Sequence, residues 1–354
     1  MKKYDLTVPL DVFNEIIRYK QEILILMNEI TLNTQDKAIK DALRHISESE
    51  LYYLLEYHQK VFINYLHFKE ESILENYLHW FYRVYLNKDL YLDFFSSIYK
   101  LWVMAYSRYL DKTMLIPIKK FYEFLDVNNE EISKTAMELK TFYIDTKSDE
   151  LYNFLVTAQK DKFREELLKN TSTQEDFLHF FSTHVVKAMQ KVGFMWEIGE
   201  ISVAKEHISS SILEEICFEV INTFPKQESN NKSVLLVNAP NEFHGLGLKF
   251  ISKLLENMGY KVISLGSTGT PKKDILKAVE EFEPSYLVIG VSISINLYEV
   301  ALIIKEVNKF NSQNSSNIEI LLGGNACNDL NNPRDLLKAH EYFKSVEDIV
   351  NYFD

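Results

Sequence analysis

Cysteine, proline and glycine are scarce in this chain of 354 residues. The two cysteines, Cys217 and Cys327, exclude a fold held together by several disulfides, and we expect a reduced, cytoplasmic setting. The first 145 residues contain no glycine and almost no proline, which are the residues that interrupt helices. Long, uninterrupted helices are therefore expected in that region.

Positive charge is also in short supply. The chain has 39 Lys and Arg against 51 Asp and Glu, a formal net charge of −12. Nucleic-acid binding relies on clustered Lys and Arg, so this balance predicts no nucleic-acid partner. No apolar run approaches the roughly 20 residues that a membrane helix needs, and no signal-peptide segment opens the sequence. We expect no association with a membrane.

Aromatic residues, by contrast, are abundant at 13% of the chain, and they crowd its first third. Apolar residues recur there at helical spacing, as in Leu51, Leu54 and Leu55, so residues 1–145 are predicted to form an all-helical domain. Pro117 is predicted in the first turn of a helix, where proline is tolerated.

A second helical unit is predicted over residues 146–228. Asp149 is the expected N-cap of its first helix, and the run Thr171–Asp176 is the expected start of a later one. The polar stretch 224–232, which breaks helix, is interpreted as a linker.

The periodicity changes beyond this linker. Short apolar strands alternate with amphipathic helices, which predicts a doubly wound parallel sheet over residues 229–354 with its ligand loops at one edge. The predicted fold class is therefore α plus α/β. The strands are expected at 234–237, 261–266, 286–292 and 319–324, and the helices at 246–258, 272–281, 297–308 and 346–352.

The loop after the first strand has the residue types of a metal-binding histidine site. Its pattern is Glu242-x-His244-x-x-Gly247, at the sheet edge where open α/β folds bind ligands. A neutral imidazole suits a cobalt ion, and a nearby carboxylate can fix its tautomer. Gly245 and Gly247 would let the backbone pass close to a flat macrocycle. A surface histidine beside two chance glycines would give the same pattern.

A second motif lies in the helical unit, where Glu206 and His207 follow Trp196 after nine intervening residues. An indole can stack on or shield a ligand above a macrocycle. Gly199 is predicted to supply the turn that lets the three residues converge. The two motifs, in this order and spacing, resemble the cap and the cobalt loop of light-sensing cobalamin (vitamin B12) proteins.

This resemblance implies a site for adenosylcobalamin. His244 would be the lower cobalt ligand with Glu242 as its partner, and Trp196, Glu206 and His207 would surround the upper ligand. The sheet would hold the nucleotide tail. The residues that the resemblance assigns to the tail are Ser292, Ser294, Gly323 and Gly324.

Two departures from the family pattern affect this interpretation. Ser294 stands where the family commonly has Leu, which would alter the tail contact. Glu197 stands where light-responsive B12 repressors commonly have the histidine that ligates cobalt after illumination. His207 or water would therefore take the upper position.

The first domain resembles known proteins only in its architecture and not in a sequence motif. Its aromatic helices resemble non-haem globin-like sensor domains, and such a domain ahead of a cobalamin unit is similar to the photocobilins. That likeness implies non-covalent biliverdin, because no cysteine precedes Cys217. A helical bundle with an aromatic core and a haem globin remain open. Four histidines are candidate ligands there, although each is better explained as a solvated helix residue: His45, His58, His67 and His79.

The function that follows from the resemblance is light sensing in signal transduction rather than self-contained catalysis. Photolysis of the cobalt–carbon bond would shift the cap, change a homo-oligomeric assembly and signal to a separate output protein. A corrinoid methyl carrier serving a methyltransferase is the alternative. A subunit of an adenosylcobalamin mutase is a third.

Overall fold

The structure is a computed structural model that describes residues 8–138, 141–266 and 268–354. The chain divides into two compact units, Met1–Thr141 and Phe142–Asp354. The helical segment and the sheet, predicted as separate domains, both lie in the second unit. Within the described residues, no helix combines the length and apolar character needed to cross a membrane.

The first unit is built of helices with an aromatic core. Its largest fully buried side chains include Trp102, Tyr82 and Phe95, and the Tyr82 and Phe95 rings stack with their centroids 4.3 Å apart. The helices are α1 (Leu10–Arg18), α2 (Lys20–Asn33), α3 (Lys37–Ala42), α4 (Glu48–Phe68), α5 (Glu71–Leu86), α6 (Leu92–Tyr106), α7 (Lys112–Val127) and α8 (Asn129–Glu138).

Two details of the first unit differ from expectation. Pro117 lies inside α7 and not in its first turn, because the Asp111 side chain caps the helix by accepting hydrogen bonds from the backbone N–H groups of Thr113 and Met114. His58 is 2% exposed and not solvated, and its two ring nitrogens lie 3.0 and 3.1 Å from the hydroxyls of Tyr77 and Tyr122.

The second unit begins with more helices. They are α9 (Thr146–Val156), α10 (Lys160–Asn170), α11 (Gln174–Phe180), a π-helical turn (Phe181–Val185), α12 (Val186–Glu197) and α13 (Val203–Ile221). The predicted start of α11 is confirmed, since Thr173 and Asp176 form a capping box. The predicted cap at Asp149 is wrong: Asp145 caps α9, because its side chain accepts the backbone N–H of Ser148.

A five-stranded parallel sheet follows, in the order β2-β1-β3-β4-β5. The order reverses between β1 and β3, and open sheets bind ligands outside the carboxyl ends of the strands at such a point. The strands are β1 (Ser233–Asn238), β2 (Lys261–Ser264), β3 (Tyr286–Gly290), β4 (Glu319–Gly323) and β5 (Glu341–Phe343). The helices are α14 (Leu246–Asn257), α15 (Lys272–Phe282), α16 (Leu297–Asn314), α17 (Pro333–Leu337) and α18 (Val346–Phe353).

The helices of the second unit share one core with one face of the sheet. Alternate strand residues, Leu236, Val288 and Leu321 among them, join the hydrophobic cluster formed by α9–α14 and α18. The Phe218 and Phe250 rings of α13 and α14 meet edge to face at 5.3 Å. This packing fixes α13 beside α14, which begins directly after the Glu242–His244 loop.

Candidate functional site

The loop between β1 and α14 is tightly folded before it reaches His244. Asn241 adopts a left-handed backbone conformation (φ 59°), which asparagine tolerates better than most residues. The backbone N–H of Glu242 donates to the carbonyl of Ala239 (3.1 Å), and the N–H of Gly269 donates to the carbonyl of Glu242 (2.6 Å). The loops that follow β1 and β2 are thereby joined.

The Glu242 side chain has no exposed surface, and donors surround its carboxylate. Oε1 accepts the backbone N–H of His244 (3.0 Å) and its Nδ1–H (2.7 Å). Oε2 accepts the backbone N–H groups of Ser292 (2.8 Å) and Ile293 (3.1 Å) and the Asn296 side-chain amide (3.3 Å). Burial, the largest influence, would raise the pKa of Glu242, but the hydrogen bonds from His244 and Ser292 bring it below its usual value. The buried carboxylate is therefore held in its ionised form.

His244 is oriented by this carboxylate and faces outward. Its side chain is 62% exposed. The hydrogen bond to Glu242 raises the pKa of His244, burial opposes the rise, and the charges of Glu242 and Glu206 add to it. An ionised carboxylate only accepts, so Nδ1 carries the proton in this pair and Nε2 is the nitrogen suited to a metal.

The motif of Trp196, Glu206 and His207, called the upper motif below, lies at the junction of α12 and α13. Trp196 lies near the end of α12, partly buried against the core. Gly199 has φ 77°, so the predicted turn is present, and Ser202 caps α13 through the backbone N–H of Lys205. These features place Glu206 in the first turn of the new helix.

Glu206 and His207 differ in their surroundings. Glu206 accepts a hydrogen bond from the Ser210 hydroxyl (2.9 Å), whereas the His207 side chain is 73% exposed, with Nε2 3.9 Å from a Glu206 carboxylate oxygen. Near the start of α14 the Lys249 ammonium pairs with the Glu214 carboxylate of α13, which joins the helix that carries Glu206 to the helix that follows His244. The helix that carries Glu206 and His207 is thereby packed beside the helix that begins after the Glu242–His244 loop.

The residues expected along the nucleotide tail have structural partners of their own. Ser292 reaches the loop through its backbone N–H, and the Ser294 hydroxyl donates to the Asp329 carboxylate. Gly324 has φ 122°, and a Cβ there would lie 2.1 Å from the carbonyl oxygen of Val291. At Gly323 the nearest atom to such a Cβ would be 4.0 Å away.

Neither glycine that follows His244, Gly245 or Gly247, is required by the backbone itself. Gly245 has φ −90°, and a Cβ built at Gly247 meets no described atom within 4 Å. The space above Gly247 is open.

Asn296 is the contact that sequence reasoning missed. It is buried at the end of a short 3-10 turn, 54 residues from the carboxylate that it contacts. An asparagine after a strand has many uses, and only the fold pairs this one with Glu242.

Comparison with protein families gives two matches in this unit. Residues 232–339 match a model described as a B12 binding domain, and residues 148–218 match a second model with the same description. The second unit is a B12-binding module. Its two matched segments are the helical segment that carries Trp196 and Glu206 and the sheet that carries His244.

The curated proteins contain no match to the chain. Among solved structures, the Methanosarcina barkeri monomethylamine corrinoid protein is 13% identical, with a TM-score of 0.48, over 58% of this chain and 95% of its own. A cobalamin-binding protein from Desulfitobacterium hafniense is 15% identical, with a TM-score of 0.32 over the same shares.

The methanol:cobalamin methyltransferase complex from Methanosarcina barkeri is 20% identical, with a TM-score of 0.30, over 60% of this chain and 80% of that one.

The donor set of the B12-binding module fits a corrinoid. A corrin ring would bring most of the ligands of cobalt with it, so the protein would need to add one nitrogen donor. His244 offers an outward imidazole whose Nδ1–H is held by a buried carboxylate, the arrangement that orients metal-binding histidines. His244 would hold the metal, and a Cβ built on Gly247, three residues later, meets no described atom within 4 Å.

Proposed function

We propose that this protein binds adenosylcobalamin at the carboxyl edge of the sheet and uses it to sense light. The observation that carries the proposal is that the helices adjoining the two motifs pack together. His244 faces outward from a buried carboxylate, and the helix that carries Glu206 is joined to the helix that follows His244 by the Lys249–Glu214 ion pair and the Phe218–Phe250 ring contact.

On the lower side, His244 would ligate cobalt through Nε2. The ionised Glu242 accepts Nδ1–H and is itself fixed by Ser292, Ile293 and Asn296. The imidazole thus has one orientation available before the cofactor arrives, which reduces the ordering cost of binding.

On the upper side, Trp196, Glu206 and His207 would surround the adenosyl group. A partly exposed indole offers a flat apolar surface for a purine, and the Glu206 carboxylate can accept hydrogen bonds from ribose hydroxyls. His207 is exposed enough to approach the upper position when that group leaves. Because Glu197 stands where the resembled family commonly has a histidine, His207 or water would fill that role.

Bound adenosylcobalamin would supply a cobalt–carbon bond that visible light breaks. The chain's part is to convert loss of the adenosyl group into a change of packing. Trp196 and Glu206 lie on either side of the Gly199 turn, so losing their shared ligand would alter how α12 and α13 pack. A shifted cap can change a homo-oligomeric interface or a contact with an output protein.

The test is reconstitution with adenosylcobalamin in darkness, followed by green light. Free adenosylcobalamin is itself photolysed, so the deciding signal is the protein's oligomeric state by size-exclusion chromatography with light scattering. We expect a light-dependent change in assembly with adenosylcobalamin and none with hydroxocobalamin.

The control variant is Trp196→Ala, which should reduce the preference for adenosylcobalamin over hydroxocobalamin. Binding with no change in assembly, together with equal losses for both cofactors, would reject light sensing. Corrinoid binding of that kind would favour the methyl carrier.

For the first unit we propose non-covalent biliverdin binding, which its aromatic core supports. The Trp102 Nε1–H is buried without a hydrogen-bond partner among the described residues, beside the His58 ring at 5.4 Å. A bilin carries carboxylate and carbonyl acceptors that could pair with such a donor. Protein made in a biliverdin-producing host should carry a far-red band, and denaturation should release the pigment. A colourless, folded protein would contradict this proposal.

A further inference from the structure

The last row of side chains on the α14 face of the sheet is almost empty. Asn238, Gly290 and Gly323 pair in parallel register at the carboxyl ends of β1, β3 and β4. The residue two positions earlier in each strand lies on the same face of the sheet. These residues are buried in the core: Leu236, Val288 and Leu321. Two of three adjacent positions therefore lack a side chain at the edge where ligands bind.

At the Gly323 end of this row a side chain would meet open space, whereas at Gly290 it would meet the side chains of Leu248 and Asn238. A Cβ on Gly323 would find its nearest atom 4.0 Å away. A Cβ on Gly290 would lie 2.7 Å from Leu248 Cδ1 and 2.9 Å from Asn238 Oδ1. The Asn238 side chain thus points along the same face, over Gly290 and beside Leu248.

Asn238 is 1% exposed, and among the described residues neither its Nδ2 nor its Oδ1 has a hydrogen-bond partner. The backbone carbonyl of Asn238, in contrast, accepts a hydrogen bond from the backbone N–H of Thr270 (3.4 Å). A buried amide with both ends unpaired costs free energy, whereas an apolar side chain of similar size would cost none. An asparagine at this position needs a partner that the ligand-free chain does not supply.

We propose that Asn238 is a corrinoid-binding residue whose amide pairs with a group that both donates and accepts a hydrogen bond. This inference rests on corrinoid binding by the module, the first part of the proposed function. The required chemistry excludes a phosphate or a dimethylbenzimidazole base as the sole partner, because each offers acceptors only. The side-chain amides of the corrin ring, the ribose hydroxyl of the nucleotide tail and an adenine lower base all qualify.

Three adenosylated probes distinguish these sources: adenosylcobalamin, its counterpart with adenine as the lower base, and adenosylcobinamide, which has no nucleotide tail. Each is titrated spectroscopically against the wild-type chain and Asn238→Leu. The matched control is Asn257→Leu, because Asn257 is equally buried but donates to the Ile221 carbonyl (3.1 Å) at the far end of α14.

We expect Asn238→Leu to weaken binding of at least one probe by about tenfold or more. A loss for all three probes assigns the partner to a ring amide. A loss for both tailed probes assigns it to the ribose, and a loss for the adenine form alone assigns it to the base. Asn257→Leu should leave all three affinities unchanged. The ligand-free Asn238→Leu variant should melt a few degrees higher than wild type, since the unpaired amide is gone.

Wild-type affinities for all three probes in Asn238→Leu would overturn the proposal, because the amide would then contribute nothing to ligand binding. Even if Asn238→Leu kept its light response, unchanged affinities would still overturn the proposal. If the wild-type chain bound the probes without light-dependent assembly, and Trp196→Ala lost equal affinity for both cofactors, light sensing would fail. The affinities of Asn238→Leu would still decide the role of Asn238. If the wild-type chain bound none of the probes, both would fail.

Discussion

Glu242 and His244 carry the chemistry of the candidate site at the scale of single residues. The carboxylate is buried, ionised and supplied with donors from two strand-end loops, while the imidazole that it holds faces outward. An ionised carboxylate only accepts hydrogen bonds, and the backbone and side-chain N–H groups that contact Glu242 are donors.

Replacing Glu242 by Gln tests this arrangement. The amide group would place a donor against backbone N–H groups or against Nδ1–H of His244. We expect the free energy of unfolding to fall by about 1–3 kcal/mol and corrinoid affinity to fall about 10–100-fold. Denaturant unfolding and spectral titration measure the two effects. Glu280→Gln, at an exposed position of α15, is the control, and equal behaviour of the two variants would contradict the role assigned to Glu242.

A substitution at Gly247 can show whether glycine is needed there for ligand binding or for folding. A Cβ there meets no described atom, and alanine favours helix over glycine by up to about 1 kcal/mol. Gly247→Ala should therefore fold at least as stably as wild type but bind corrinoid more weakly, because the methyl group would occupy the space left for the ring. Unchanged affinity would show that the ring does not approach this residue.

Some of these residues could be predicted from sequence and others could not. The spacing of Glu242 and His244 implies their contact, because two residues on one loop are close in any fold. Asn296 and Asn238 gave no such signal, since their significance depends on which loop or glycine lies beside them. The burial of His58 was likewise missed, because one histidine on an aromatic helix has no sequence feature that separates a core position from a solvated one.

At the scale of elements, the helices and strands of the second unit lie close to their predicted positions. Alternating apolar strands and amphipathic helices specify β1–β4 and α14–α16 locally. The ends of elements were predicted less well, because they depend on caps. Asp145 starts α9 ahead of the expected Asp149, and Asp111 places Pro117 inside α7.

In the first unit, His58 joins α4 to α5 and α7 through the hydroxyls of Tyr77 and Tyr122. Burial lowers the pKa of His58 to about 3. Below its ordinary value of 6.5 the unfolded chain binds a proton that the folded chain does not. The stability contributed by neutral His58 is therefore complete above that pH and is lost as the pH falls toward 3, by about 1.4 kcal/mol per pH unit.

Tryptophan fluorescence can follow this loss in the first unit alone. In a Trp196→Phe background the remaining tryptophans are Trp80 and Trp102, both in that unit. Denaturant midpoints should fall steeply on acidification, and the additional change His58→Gln should flatten the dependence, because glutamine does not titrate. Parallel pH curves for the two proteins would show that His58 is not the titrating group.

At the scale of the whole molecule, the chain joins an aromatic helical unit to a B12-binding module. The module holds both halves of the proposed site, so corrinoid binding should not depend on whether the first unit binds a pigment. The proposed light-dependent assembly, in contrast, is tested on the full chain.

Ligation of cobalt by His244, which we propose for the module, is tested most directly by electron paramagnetic resonance. The chain is prepared with ¹⁵N-labelled histidine, loaded with unlabelled cobalamin and reduced to the cobalt(II) form. We predict that labelling changes the nitrogen hyperfine splitting of the wild-type spectrum and leaves that of His244→Ala unaltered. A wild-type spectrum insensitive to the label, with cobalamin bound, would contradict the claim.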